Sequence, residues 1–341
     1  MKTDFSKLEC FLKDFNNNLS LNKDINSSTE REAMGLPTKL VDLYSDLFSK
    51  IAINFRGFNE KRLIEIIKSS SSHYCERIVA CDIMSLLHLN RIEKIPTFNK
   101  ITGGKTTIGT PSSEVDKIYN KYKSIGVKRN WIEKEIPLHN TYVEDFHAAI
   151  FPVTNNQYRF FLLDSNFDEL PTSWRYGSYP YHLSDHPVYT VSLKAVDAYC
   201  RWLSQKIGHD VRIPSEVEWE YLATGGAYKQ YTWGNDFSHF YSNTNEILLQ
   251  NTTPVGVFLE SKSNFGIYDL IGNVEEYVSN EYFPYPGGDF IEDDLYKKLG
   301  NYRVAKGGAF NRFSDLARIQ RRHGAYPSSL YAIGFRVCFS S

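Results

Sequence analysis

Apolar positions in the first third of the chain recur close to every 3.6 residues. Between Thr38 and Phe55 they fall at Leu40, Val41, Leu43, Leu47, Ile51 and Ile53. A second such stretch runs from Glu60 to Ile92, broken at Ser69-Ser70-Ser71-Ser72. That period predicts helices with one buried stripe. The polar run from Asn16-Asn17-Asn18 to Ser28 reads as a loop. From Phe98 onward the pattern shortens, and Gly, Pro, Trp and Tyr become frequent. The chain therefore divides into a small helical N-terminal region, residues 1–97, and a second part, residues 98–341.

In the second part, Ile101 to Gly109 reads as a strand, a turn and another strand. Three helices are marked by their caps. Thr154-Asn155-Asn156-Gln157 and Ser215-Glu216-Val217-Glu218 are capping boxes. Ser192 caps a helix that would bury Ala195, Ala198, Tyr199, Trp202 and Leu203 and stop at Gly208. No internal repeat is visible.

Composition narrows the function classes. Of the 341 residues, 42% are hydrophobic and 23% charged, which is ordinary for a globular protein. A net charge of -1 argues against nucleic acid or an anionic membrane as a partner. The 23 Tyr and 22 Phe suit a fold in which flat side chains pin irregular loops to a core. The start, Met1 to Lys7, has no apolar signal region, and no window is apolar for long enough to span a membrane. A cytoplasmic location is the expectation. Cys10, Cys75, Cys81, Cys200 and Cys338 show no metal or redox spacing and read as reduced thiols.

One series of landmarks is more specific. It begins at Phe98 to Pro111 and continues through Phe151-Pro152-Val153-Thr154-Asn155-Asn156-Gln157-Tyr158 and His186-Pro187-Val188 to Ala198-Tyr199-Cys200-Arg201-Trp202-Leu203. Arg212-Ile213-Pro214-Ser215-Glu216-Val217-Glu218-Trp219-Glu220 and Tyr231-Thr232-Trp233-Gly234-Asn235 follow. Then come Gly266 to Tyr277 and a closing run, Gly307-Gly308-Ala309-Phe310 to Gly334-Phe335-Arg336. In this order they resemble the formylglycine-generating enzyme family, also called sulfatase-modifying factors. The resemblance implies an α+β fold of modest regular structure, a variant of the C-type lectin fold, with its active cleft on a loop-rich face.

The resemblance also implies sites. Members that oxidise a sulfatase cysteine carry a copper-binding cysteine pair in the closing segment. Here that stretch offers Arg312, Phe313, Leu316 and Ala317. Ala309 replaces a serine, and Val274-Glu275-Glu276-Tyr277 replaces a VWEW element. Related sulfoxide synthases bind iron through His-x-x-x-His-x-Glu in a helical N-terminal domain. Residues 1–97 hold only His73 and His88, in no such arrangement. A catalytic iron or copper is thus unassigned. A structural calcium is implied at Asp269 and Glu276 with the carbonyls of Gly272 and Val274, an oxygen set such an ion takes. A second family calcium site, near Asn243 and Thr244, has a shortened partner loop.

Other candidates come from residue type. Arg303, Lys306, Arg312, Arg318, Arg321, Arg322 and Arg336 share one segment with a single acid, Asp315. Arginine forks hold carboxylates. Arg312, Arg318 and Arg322 are therefore the expected contacts to a small anionic or zwitterionic ligand or a peptide, set against a role in structural ion pairs. His323 is the candidate catalytic base. His182 and His186 have a metal-like spacing, but Pro180 and Pro187 break the helix it would need. Cys200 and Cys338 read as core. Three functions follow: an oxidative or tailoring enzyme for an amino-acid-derived substrate, a non-catalytic binding module, and a cysteine-oxidising factor with a relocated metal. In the second, residues 1–97 would be an arm for a protein partner.

Overall fold

Short runs of β-branched and aromatic residues from Phe98 onward form the strands, and the first third of the chain is helical. The computed structural model describes residues 3–21, 24–89, 91–326 and 331–341. Its strands are β1 (Phe98–Ile101), β2 (Gly104–Ile108), β3 (His139–Val143), β4 (Phe146–Ala149), β5 (Val211–Arg212), β6 (Glu275–Glu281), β7 (Arg303–Lys306), β8 (Ile333–Phe335) and β9 (Cys338–Ser340). They form sheets ordered β1-β4-β9-β5, β2-β3 and β7-β6-β8. Helices pack around these sheets, giving the expected α+β architecture.

The strands at Phe98–Ile108 are present, but β1 and β2 do not pair with each other. β1 lies antiparallel to β4, and β2 antiparallel to β3. Gly103 joins them against another backbone. A Cβ there would stand 2.1 Å from the carbonyl oxygen of Val143, so only glycine allows the approach. The caps act as expected. Thr154 and Ser215 form capping boxes with Gln157 and Glu218, and Ser192 accepts from the Ala195 amide. Gly208, in the left-handed region at φ 73°, ends the helix Leu193–Ile207.

In the N-terminal region the helices are Ser45–Asn54, Glu60–Lys68 and Tyr74–Leu86. The serine break falls where the pattern placed it, and His73 caps the helix that follows. The first of the three starts at Ser45, not Thr38. A further helix, Ser6–Asn17, buries Leu8 and Leu12. It overlaps the start of the segment read as a loop. These helices share a core cluster with Ile247, Leu248, Val257 and Phe258 from the second part. Among the described residues no helix is long and apolar enough to cross a membrane.

β6 positions the site. It runs antiparallel to β7 and parallel to β8, in the middle of its sheet. Successive strand residues face opposite ways. Glu275 and Glu276 therefore send buried carboxylates to opposite faces.

Candidate functional site

The closing segment leaves β7 through Gly307 and Gly308, at φ 98° and 70°. A Cβ on Gly307 would meet the Leu270 carbonyl oxygen at 2.7 Å, and one on Gly308 would meet the Ala317 backbone at 2.8 Å. The glycine pair thus folds the segment down onto the core. From there its basic side chains turn inward.

Most of them end on carboxylates. Both terminal nitrogens of Arg318 donate to Glu135, at 2.8 and 2.6 Å. Arg322 donates to both oxygens of Glu216 at 2.9 Å and covers the Tyr285 ring at 4.1 Å. Lys306 donates to Glu220 at 2.8 Å and lies 3.3 Å from Glu216. Burial pushes the Glu216 carboxyl up, but Arg322 and Lys306 outweigh it and hold its pKa at about 2. In the same cluster burial raises Glu220, with Glu216 adding to the rise against Lys306. Arg318 and Arg322 are thus interior ion pairs and not the walls of an open cleft. The acids that hold them come from elements remote in sequence. Glu135 follows the helix Arg129–Glu133, and Glu216 opens the helix Glu216–Thr224.

Arg312 differs. It is buried, and among the described residues no carboxylate stands within ion-pair distance of it. Its Nη1 has no hydrogen-bond partner, and its guanidinium lies over the Tyr331 ring at 5.0 Å. Arg321 is similar. Its Nη1 donates to the carbonyls of Trp131 and Arg322, while its Nε is unpartnered. Between them lies His323, with Nδ1 2.9 Å from Glu275 Oε1 and its ring 4.9 Å from that of Tyr331. The second oxygen of Glu275 is buried without a partner. Burial lowers the His323 pKa against the pull of Glu275, so the imidazole is neutral near pH 7.

Arg312, Arg321, His323 and Tyr331 line a hollow with Trp131, Asp293 and Asp294, and Glu275 lies behind His323 outside that lining. Asn26 roofs it, accepting from the Tyr331 hydroxyl at 3.0 Å and donating to Asp294. The space beneath is about 10 Å³, room for one water.

The two carboxylates of the expected calcium set have protein partners. Arg336 donates to both oxygens of Glu276, at 2.7 and 3.1 Å, and the Trp219 indole donates to one of them at 2.8 Å. The Glu276 charge is therefore already balanced. Asp269 accepts from the Gly256 amide and from Asn273 instead. Burial raises its pKa to about 6. The Gly272 amide donates to the Gly307 carbonyl, and Val274 is buried. Of the expected calcium set, Glu276 and Asp269 both have partners within the protein. Asn243 Oδ1 and Thr244 Oγ1, at the second implied site, are buried oxygens without hydrogen-bond partners. Among the described residues no group of three or more His, Cys, Asp or Glu side chains is arranged to hold a metal. All five cysteines are free, and none lines the hollow.

Arg312 and His323 are thus brought together, while Arg318 and Arg322 are withdrawn. Sequence reasoning did not assign Glu275, Arg321, Tyr331 or Asn26. Glu275 carries a legible signal, an acid where the resembled family has an apolar ring. Asn26 carries none, because only the fold brings it to Tyr331.

The fold and this closing segment define a class of protein built on one α+β scaffold. The chain belongs to the sulfatase-modifying factor enzyme 1-like domain family, whose description matches residues 86–340. It is 32% identical to the formylglycine-generating enzyme of Mus musculus over 190 residues, which is 48% of each chain. Hercynine oxygenase of Mycolicibacterium smegmatis is 24% identical over 233 residues, 58% of this chain and 53% of that one. The solved structure of PvdO from Pseudomonas aeruginosa aligns with a TM-score of 0.53 at 25% identity, over 73% of this chain and 96% of that chain. The chain spans about a third to a half of the length of the curated relatives it matches.

Proposed function

We propose that this protein is a tailoring enzyme that binds an amino-acid-derived anion or zwitterion at Arg312 and moves a proton with His323. The observation that carries this reading is Arg312, a buried guanidinium without a carboxylate of its own. Tyr331, Asp315 and Glu275 favour its charge, but neither acid stands at ion-pair distance, and a ligand carboxylate would supply that contact with a two-pronged hydrogen bond. His323 is neutral and oriented by Glu275, the state a general base needs. Entry requires Asn26 to move aside, since the hollow beneath it is water-sized. Similarity to a protein named hercynine oxygenase supports an oxidative outcome. The residues here would supply binding and proton transfer.

The test is a thermal-shift and calorimetric screen with the common L-amino acids and their N-acetyl forms. At least one is expected to bind the wild type, and Arg312→Leu should weaken it about a hundredfold, the worth of a buried charged pair. No binding by any member, or equal binding by the variant, would overturn the reading. A second reading, a non-catalytic binding module, is favoured by the burial of Arg318, Arg322, Lys306 and Arg336 in internal pairs. His323→Gln separates the two. Retained binding with lost turnover supports the enzyme, whereas a bound ligand that the wild type never transforms supports the module.

A further inference from the structure

A second cavity, of about 480 Å³, lies where the N-terminal helices meet the loops of the second part. It shares no lining residue with the Arg312 hollow. Its volume falls within the range of small-molecule pockets. One wall is a single helix face, since Ile78, Asp82 and Leu86 follow each other at four-residue intervals on the helix Tyr74–Leu86. Phe48 of the helix Ser45–Asn54 and Tyr44, the residue before that helix, form a second wall. Leu86 and Tyr181, each 54% exposed, rim the mouth.

The polar end of this cavity is incomplete. His186 is 3% exposed, and its Nδ1 lies 2.9 Å from the Thr252 hydroxyl. Its Nε2 is buried with no hydrogen-bond partner. Asp82 Oδ1 stands 3.9 Å from it, too far for a hydrogen bond. Asp82 itself has no Lys or Arg within ion-pair distance among the described residues. Asp82 is the one carboxylate of the lining, and Tyr44, Phe48 and Tyr181 share that lining with it. A carboxylate without a cation, an unpartnered imidazole nitrogen beside it and aromatic faces around them together describe a receptor for an ammonium group.

We infer that this cavity is a binding site for a small amine on an apolar body. The ammonium would donate to Asp82 Oδ1 and His186 Nε2 across the gap between them. His186 would then carry its proton on Nδ1 and donate to Thr252. The apolar body would lie along Ile78, Phe48 and Leu86. Neither Arg312 nor His323 takes part, so this site stands apart from the proposed activity.

The experiment uses 2-phenylethylamine as the probe, with 2-phenylethanol and 3-phenylpropanoate as neutral and anionic analogues of similar shape. Titration calorimetry on the full chain should give a Kd for the amine on the order of 100 μM. Both analogues should bind at least about tenfold more weakly. Asp82→Asn should weaken the amine about tenfold or more, and Leu86→Trp, which fills the mouth, should abolish binding. Unchanged melting temperatures would show that both variants are folded. Arg312→Leu should leave the amine affinity unchanged, which separates this site from the one above. No binding of the amine at roughly 1 mM, or equal binding of amine and alcohol, would overturn the inference.

Discussion

At the residue scale the closing segment shows what a basic run can conceal. Its excess of positive charge is visible in sequence, but the acids that neutralise it are Glu135, Glu216, Glu220 and Glu276, scattered over the preceding chain. Spacing along the sequence cannot reveal partners that only the fold brings together. Arg318 and Arg322 were therefore grouped with Arg312, although their surroundings differ. The pairs make a stability prediction. Arg322→Met removes one partner from Glu216 and leaves a buried carboxylate short of a cation, which should cost about 3–5 kcal/mol in urea unfolding. The pH dependence follows from Glu216. Its folded pKa, about 2, lies below the ordinary value of 4.5. Its stabilisation is thus complete above pH 4.5 and is lost as the pH falls through 2. Glu220 is shifted the other way and acts in the opposite sense as it takes up a proton. In Arg322→Met the loss of stability below pH 4.5 should be shallower than in the wild type. Parallel acid profiles for the two proteins would contradict this assignment.

At the element scale local signals were reliable where a cap or a breaker sat in sequence. The boxes at Thr154 and Ser215, the stop at Gly208 and the serine break after Lys68 all appear in the structure. The strand, turn and strand read at Ile101–Gly109 are present, but the Gly-Gly step between them does not close the hairpin such a step often signals. Here Gly103 serves a close backbone crossing instead. The helix Ser6–Asn17 was missed although Leu8 and Leu12 keep helical spacing, since only those two of its residues are buried. Thr154 offers an element-level test. Its hydroxyl accepts from the Gln157 amide, and the Gln157 side chain returns to the Thr154 amide. Thr154→Ala should therefore lose about 1 kcal/mol, measured by urea unfolding, with the helix Asn155–Ser165 retained.

At the scale of the whole molecule, the family was legible because its landmarks are collinear from Phe98 to Arg336. The relation of residues 1–97 to the rest was not legible, because shared burial is a property of contacts. Ile247, Leu248, Val257 and Phe258 lie in the same apolar cluster as the N-terminal helices, and Asn26 closes the hollow beside Tyr331. Residues 98–341 alone should thus melt at least about 5 °C lower and bind a hydrophobic dye. An unchanged melting temperature without dye binding would mean that the second part stands alone. The central claim is that Arg312, and neither Arg318 nor Arg322, remains available to a ligand carboxylate. It is tested most directly by the NMR signals of the arginine Nε–H groups, recorded as a binding amino acid from the screen is titrated in. The account predicts that the Arg312 signal moves while those of Arg318 and Arg322 stay fixed; movement of either of those two with Arg312 unmoved would contradict it.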